Sequence, residues 1–224
     1  AQIAVSRSDA GFLRRLFEEE IHEIYDGTVI IKDIAREPGE RSKVAVYTTD
    51  VNVDPTGACI GPNGSRIQKI VAQLGNAKEK EKIDIIAYNE NPGLYIMEAL
   101  KPAQVTGVVL NREEKKAVAV VNNGQLSLAI GKKGVNARLA VKLTSWNIDI
   151  KEMDDALAMG LKPLTAEELR RDEEYYKRVQ EQQRYIDSIT PTVKDEIPAD
   201  FVAPVAEPVV DVKVEAVATP VVEV

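Results

Sequence analysis

Aromatic residues are scarce in this 224-residue chain, at 5%. Small aliphatic side chains must therefore build its cores. The single cysteine, Cys59, excludes an internal disulfide and fits a reducing compartment, so a cytoplasmic protein is expected. There is one histidine, His22, which leaves no Ser-His or Cys-His pair for nucleophilic catalysis beyond that residue. His22 shares a helix face with Glu18, beside Glu19 and Glu23. With no second His or Cys nearby, that group reads as a solvated helix surface and not as a metal site. No run approaches the ~18 apolar residues of a membrane span, so no membrane association is expected. Both Gly-x-x-x-x-Gly-Lys-Ser/Thr and Gly-x-Gly-x-x-Gly are missing, which excludes the Walker-type and dinucleotide fingerprints. No enzyme, cofactor or metal is indicated.

What is present is a short pattern that occurs twice. Ile60-Gly61-Pro62-Asn63-Gly64 and Ile130-Gly131-Lys132-Lys133-Gly134 lie 70 residues apart. Each closes a short apolar segment and opens a longer amphipathic one. Each is followed by an Ile-Asp-Ile triplet, at Ile83-Asp84-Ile85 and Ile148-Asp149-Ile150. One Gly-x-x-Gly is weak evidence, since it also occurs at ordinary helix corners. Two in matching surroundings read as an internal repeat.

The flanking elements repeat as well. Ser8 or Asp9 caps a helix to about His22, with Leu13, Leu16, Phe17, Ile21 and Ile24 on one face, and Asp26-Gly27 stops it. Strands follow at 28–35 and 43–48, then a short helix ending at Ile60, a helix from Ser65 to Leu74 and a strand at 83–87. In the second half Asn91-Pro92 opens a helix over 93–100. Strands at 105–111 and 116–121, a short helix ending at Ile130, a helix over 135–143 and a strand at 147–151 complete it. The order α-β-β-α-α-β in both halves predicts an α+β fold of two domains, 1–88 and 89–154. Only Tyr88 to Asn91 separate them, too few residues for a flexible tether, so a rigid pair is expected.

Residues 155–224 differ. They carry the whole formal net charge of −7, because cations and acids balance through residue 154. Thr165 and Glu168 form a capping box for a charged helix over 166–187. Beyond Thr190 the Pro, Val, Ala, Asp and Glu composition holds no helix or strand period, and disorder is expected.

The chemistry concentrates at the repeated loops. Glycines at both ends of the turn leave room for close backbone approach, and the helix that follows turns its positive end toward the same space. Pro62 and Asn63 are neutral, whereas Lys132 and Lys133 add two charges. Arg66, Lys69, Arg138 and Lys142 stand on the following helices, and the segments 57–78 and 124–143 contain no acid. This distribution suits an anionic backbone. Ile60, Ile67 and Ile70, and Ile130, Ala137 and Val141, offer apolar strips on which unstacked bases could rest. Trp146 and Tyr88 are expected to pack in cores or interfaces. Cys59 is expected to be a small packed residue, with some reactivity if backbone donors face it.

These residues carry a resemblance. Ile-Gly-x-x-Gly with a following Arg-bearing helix, in α-β-β-α-α-β order, is similar to the type II (prokaryotic) KH domain. The fused pair resembles the RNA-binding core of the NusA family of bacterial transcription factors. The likeness is carried by Leu126 to Ala140, Asp54 to Gly64 and Glu23 to Gly27, with Ser6-Arg7 similar to the end of the linker from a preceding OB-type domain. It covers about 1–154 and not the tail. It implies single-stranded, nascent RNA as the ligand of Ile60 to Gly64, Arg66, Lys69, Ile130 to Gly134, Arg138 and Lys142. It also implies a part in transcription elongation, pausing, termination and antitermination. RNA polymerase would be contacted through family regions not among these residues, and a monomer is expected. Two alternatives stay open: a ribosome-associated RNA binder, and a protein-interaction scaffold with degenerate loops.

Overall fold

The computed structural model describes residues 5–74 and 80–171, together with residues 174 and 184. The remainder of the expected charged helix, the tail expected to be disordered, and Gly75 and Asn76 lie outside the described residues. The first half runs α1 (Ala10–Glu20), α2 (His22–Tyr25), β1 (Val29–Glu37), β2 (Arg41–Thr48), α3 (Pro55–Ile60), α4 (Ser65–Leu74) and β3 (Lys82–Ala87). The second runs α5 (Pro92–Ala99), β4 (Val105–Asn111), β5 (Lys116–Val121), α6 (Leu126–Ile130), α7 (Val135–Thr144), β6 (Asn147–Glu152) and α8 (Met153–Ala158).

Helix starts are set by short polar side chains. Asp9 accepts from the Gly11 N–H at 2.7 Å, Asp54 from those of Thr56 and Gly57 at 3.0 Å, and Asn91 from that of Gly93 at 2.9 Å. Pro55 and Pro92 occupy the first turns, where a missing N–H costs nothing. The first helix is shorter than its apolar periodicity predicts. Ile21 is extended (φ −117°, ψ 107°) and fully buried, so α1 ends at Glu20 and a separate turn, α2, carries the chain to Asp26. Burial of the Ile21 side chain outweighs continuation of the helix.

Each half contains a three-stranded sheet with the same construction. β1 pairs antiparallel with β2, which pairs parallel with β3; β4, β5 and β6 repeat this. Each outer antiparallel strand has one irregularity, between Ile31 and Asp33 and between Val105 and Gly107. Register identifies equivalent positions. Arg36 pairs with Ser42 as Leu110 pairs with Ala117, and Glu81 precedes β3 as Trp146 precedes β6.

The cores explain why so few aromatics suffice. One face of the first sheet packs under α1, α3 and α4 around Leu13, Phe17, Val44, Val46, Cys59 and Ile70. The opposite face places Ala35, Ala45 and Ile86 in one cluster with Ile96, Leu100, Leu139 and Leu143 of the second half. β2 is therefore covered on both sides, and five successive residues, 42–46, are buried. Small Ala35 and Ala45 let α7 approach β1 and β2 closely. The fully buried aliphatic side chains Ile86, Ile96, Leu100 and Leu139 contribute about 1.5–3 kcal/mol each. Screened surface ion pairs across the same junction add little beside that. A buried polar strut crosses it too: the Lys43 ammonium donates to Asp84 Oδ2 at 3.0 Å and to the Lys101 carbonyl at 2.9 Å. Burial holds that ammonium below its ordinary range, against the pull of the Asp84 carboxylate.

Ordered packing continues past residue 154. Ala156 of α8 is buried, Leu164 pairs with Val108 through backbone bonds of 2.9 and 3.0 Å, and Leu169 is 1% exposed. The expected Thr165–Glu168 capping box is present, with the Thr165 N–H donating to the Glu168 carboxylate at 2.8 Å. Asn91 Nδ2 donates to the Leu169 carbonyl at 3.0 Å, and a Cβ at Gly93 would lie 2.8 Å from a Leu169 methyl. Gly93 is small because this segment lies on it.

Candidate nucleic-acid interface

The two loops share one backbone. Gly61 has φ 72°, ψ 172° and Gly131 has φ 76°, ψ 170°, a region open essentially to glycine alone. Asn63 (φ 51°, ψ 27°) and Lys133 (φ 53°, ψ 22°) are left-handed, as are Gly64 and Gly134 at φ 74° and 75°. The Gly61 N–H closes on the Gly57 carbonyl and the Gly131 N–H on that of Ser127, both at 2.9 Å. Pro-Asn and Lys-Lys thus occupy one conformation. Asn suits the left-handed position; Lys there costs about 1–2 kcal/mol. Lys133 is held against its preference in the one loop that carries charge.

Five residues past the first glycine stand Arg66 and Asn136, and both reach back to the preceding short helix. Arg66 Nη1 donates to the Ala58 carbonyl at 2.6 Å and to Glu23 at 2.9 and 3.0 Å. Asn136 Nδ2 donates to the Ala129 and Leu100 carbonyls at 2.8 and 3.1 Å. The structural counterpart of Arg66 is therefore Asn136; Arg138 corresponds to Gln68. Arg66 and Arg138 share a charge and a place on the helix after each loop, but not an equivalent position in the repeat.

The other cations divide clearly. Lys69 pairs with Glu20. Arg138 donates through Nε and Nη2 to Glu37 of β1, both at 3.1 Å, and through Nη1 to the Lys133 carbonyl, while Lys142 lies 3.8 Å from the same glutamate. The Arg138 guanidinium holds the Glu37 carboxyl below the ordinary range. Glu37 thus gathers two of the predicted site residues across the domain junction, a link with no local sequence signal. Lys132 and Lys133 are exposed, and among the described residues neither ammonium has an acidic partner. Ile60 and Ile130 are each 38% exposed beside the loops, with Leu128 at 47% next to the second. Ile67, Ala137 and Val141 are half-buried, and Ile70 is closed in the core.

The minor candidates resolve simply. Cys59 is buried and its thiol is pushed up to about 12 by burial, which makes it inert at neutral pH. Among the described residues no group of three His, Cys, Asp or Glu could hold a metal ion. Tyr88 stands edge-on to Tyr95, with centroids 5.1 Å apart, and Trp146 packs against the shared core. No helix among the described residues is long and apolar enough to cross a membrane.

Comparison with known proteins agrees with this architecture. Residues 7–88 match the NusA-like first KH domain, and residues 92–158 the NusA-like second KH domain. The chain is 52% identical over 167 residues to the transcription termination/antitermination protein NusA of Bacillus subtilis, covering 75% of this chain and 44% of that protein. It is 53% identical over 160 residues to the protein of that name from Halalkalibacterium halodurans, covering 71% and 41%. With the one from Thermus thermophilus it shares 49% over 160 residues, covering 69% and 40%. The chain spans less than half the length of these curated relatives.

Proposed function

The chain belongs to the NusA family, whose first and second KH domains it carries in tandem, and on that premise we propose that it binds single-stranded RNA through both Gly-x-x-Gly loops. The observation that carries the reading is the second loop. Its strained Lys133 and its neighbour Lys132 present two exposed ammonium groups, without acidic partners among the described residues, beside the positive end of α7. Phosphates are positioned there, and bases rest along the exposed edges of Ile130 and Leu128. The first loop offers the same backbone without the charge, and Ile60 and Ile67 as its apolar strip. The whole acts as a binding module and not as an enzyme. It works on nascent RNA in the cytoplasm during elongation, pausing, termination and antitermination, as a monomer, with RNA polymerase contacted through family regions outside this chain.

Fluorescence anisotropy with a labelled single strand and its duplex tests this. The single strand binds preferentially, and affinity falls steeply between roughly 50 and 200 mM salt. A chain that ignores RNA at low salt is the interaction scaffold instead.

A further inference from the structure

A cavity of about 320 Å³ lies where the second loop faces the first domain. Lys132, Lys133 and Asn136 form one wall. The turn between β1 and β2, with Glu40 and Arg41, forms the other, together with Lys82 at the start of β3. Arg41 is spent on Asp84, with two bonds of 2.6 and 3.0 Å. Among the described residues Glu40 is the only acid in the lining. Lys82 is exposed, held beside the turn by its N–H to the Glu40 carbonyl at 3.2 Å. Three lysines from two domains thus line one cavity, and none of their ammonium groups has an ion pair among the described residues. The walls cannot drift apart, because Ala35, Ala45 and Ile86 are buried against α5 and α7 behind them.

Asn136 holds the loop wall in place. It is fully buried in this wall, and its Oδ1 is the one buried side-chain polar atom without a partner among the described residues. That oxygen is an acceptor and takes no part in holding an anion; the role of Asn136 is structural, its Nδ2 bonds to the Ala129 and Leu100 carbonyls fixing the wall that carries the two lysines. The cavity is at the small end of ligand sites, room for about one nucleotide unit.

We propose that this cavity is a cross-domain phosphate site, in which one phosphodiester of a bound RNA strand is held between Lys132 and Lys133 on one side and Lys82 on the other. The inference rests on the RNA reading and adds a residue from the first domain to the second domain's loop. Charge on the phosphate relieves the repulsion among the three ammonium groups, and Lys82 sets where the strand leaves the loop.

The test uses the whole chain and a labelled single-stranded RNA, with Lys82→Gln, Lys132→Gln/Lys133→Gln and the triple variant. Lys82→Gln lowers affinity about threefold at moderate salt and reduces the salt slope by about 0.7, one phosphate's worth. Its effect shrinks in the Lys132→Gln/Lys133→Gln background, Lys82→Arg restores binding, and melting is unchanged. Loss on Lys132→Gln/Lys133→Gln with none on Lys82→Gln overturns the cross-domain site and leaves the RNA reading intact. No loss in any variant overturns both. Adenosine 5′-monophosphate and inorganic phosphate are the second arm: either one binding through Lys82 as tightly as the RNA strand makes this a site for free phosphates and overturns the assignment to a nucleic-acid chain.

Discussion

At one corner of the first sheet Arg36, Ser42 and Glu81 form a buried polar network; at the equivalent corner of the second stand Leu110, Ala117 and Trp146. Arg36 meets Glu81 with two bonds of 2.8 and 2.9 Å, Ser42 Oγ donates to the same carboxylate at 2.5 Å, and the Gly39 N–H at 3.1 Å. Leu110 and Trp146 instead pack on the shared apolar core with Ala117. The backbone is the same in both. What the fold requires at this corner is that the side chains satisfy one another, by ions or by apolar contact. The loops give the same lesson: Arg66 and Asn136 both tie down the preceding short helix by different chemistry, and the two middle positions are left for function.

The largest effect should come from breaking that corner. Glu81→Gln leaves the Arg36 side chain, 4% exposed, without its counter-ion, and should cost about 3–5 kcal/mol in urea unfolding. Importing the other half's solution, Arg36→Leu with Ser42→Ala and Glu81→Trp, should recover most of this. A triple variant less stable than Glu81→Gln would break the equivalence. The pH dependence follows from the same group. Burial pushes the Glu81 carboxyl up, but Arg36, Ser42 and the Gly39 N–H outweigh it and hold it below its ordinary 4.5. A lowered carboxylate stabilises fully above its unfolded value and loses that contribution as pH falls through the lowered one. The wild-type chain should therefore lose stability below about pH 4.5 more steeply than the triple variant.

Next in size is the strap that only the second half shows among the described residues. Leu169→Ala should cost about 2–3 kcal/mol, because it empties a site closed by Gly93. Deleting 155–224 should destabilise the chain, and deleting 172–224 should leave unfolding nearly unchanged. Equal effects of the two deletions would remove the strap from the core.

The glycines should separate the loops by a smaller margin. At Gly131 a Cβ would meet Asn136 Cβ at 2.8 Å and its backbone nitrogen at 3.1 Å; at Gly61 it would meet only the flexible Arg66 side chain, at 2.7 Å. Both substitutions force a backbone that L-residues avoid, about 1–3 kcal/mol, and Gly131→Ala should be the costlier in thermal melts. The reverse order would mean that Arg66 is the stiffer neighbour.

The smallest change in stability, and the one read in binding, is charge reversal at the middle positions. Lys132→Asp/Lys133→Asp should weaken RNA affinity more than Pro62→Asp/Asn63→Asp and lower the salt slope by up to about 1.4, two phosphates' worth. Equal losses at the two loops would erase the functional distinction drawn between them.

Much of this architecture was legible in the chain because its signals are local. α4 (Ser65–Leu74) and β5 (Lys116–Val121) fall where periodicity and turn residues put them, and Asp54-Pro55 and Asn91-Pro92 open helices as their capping chemistry dictates. The break at Ile21 was not legible, since only a core on the far side of the residue rewards it. Nor were the partners of the basic residues. Arg66, Lys69, Arg138 and Lys142 look alike as cations, but each finds an acid far away in the chain, and only Lys132 and Lys133 of the predicted set stay without one.

By itself the sequence determined the repeated α-β-β-α-α-β order, the two loops and the charge that distinguishes them, because glycine conformations, caps and apolar periods act over a few residues. Only the tertiary structure decided that the two domains share a core. Ala35, Ala45 and Ile86 carry no mark of the surface they meet, and Lys43 reads as exposed until the second domain covers that face of the sheet. Burial is a property of what packs on top, and no local pattern records it. For the same reason Lys82 reads as an ordinary loop residue ahead of the strand at 83–87, and only docking of the second domain brings the Lys132-Lys133 loop to its side.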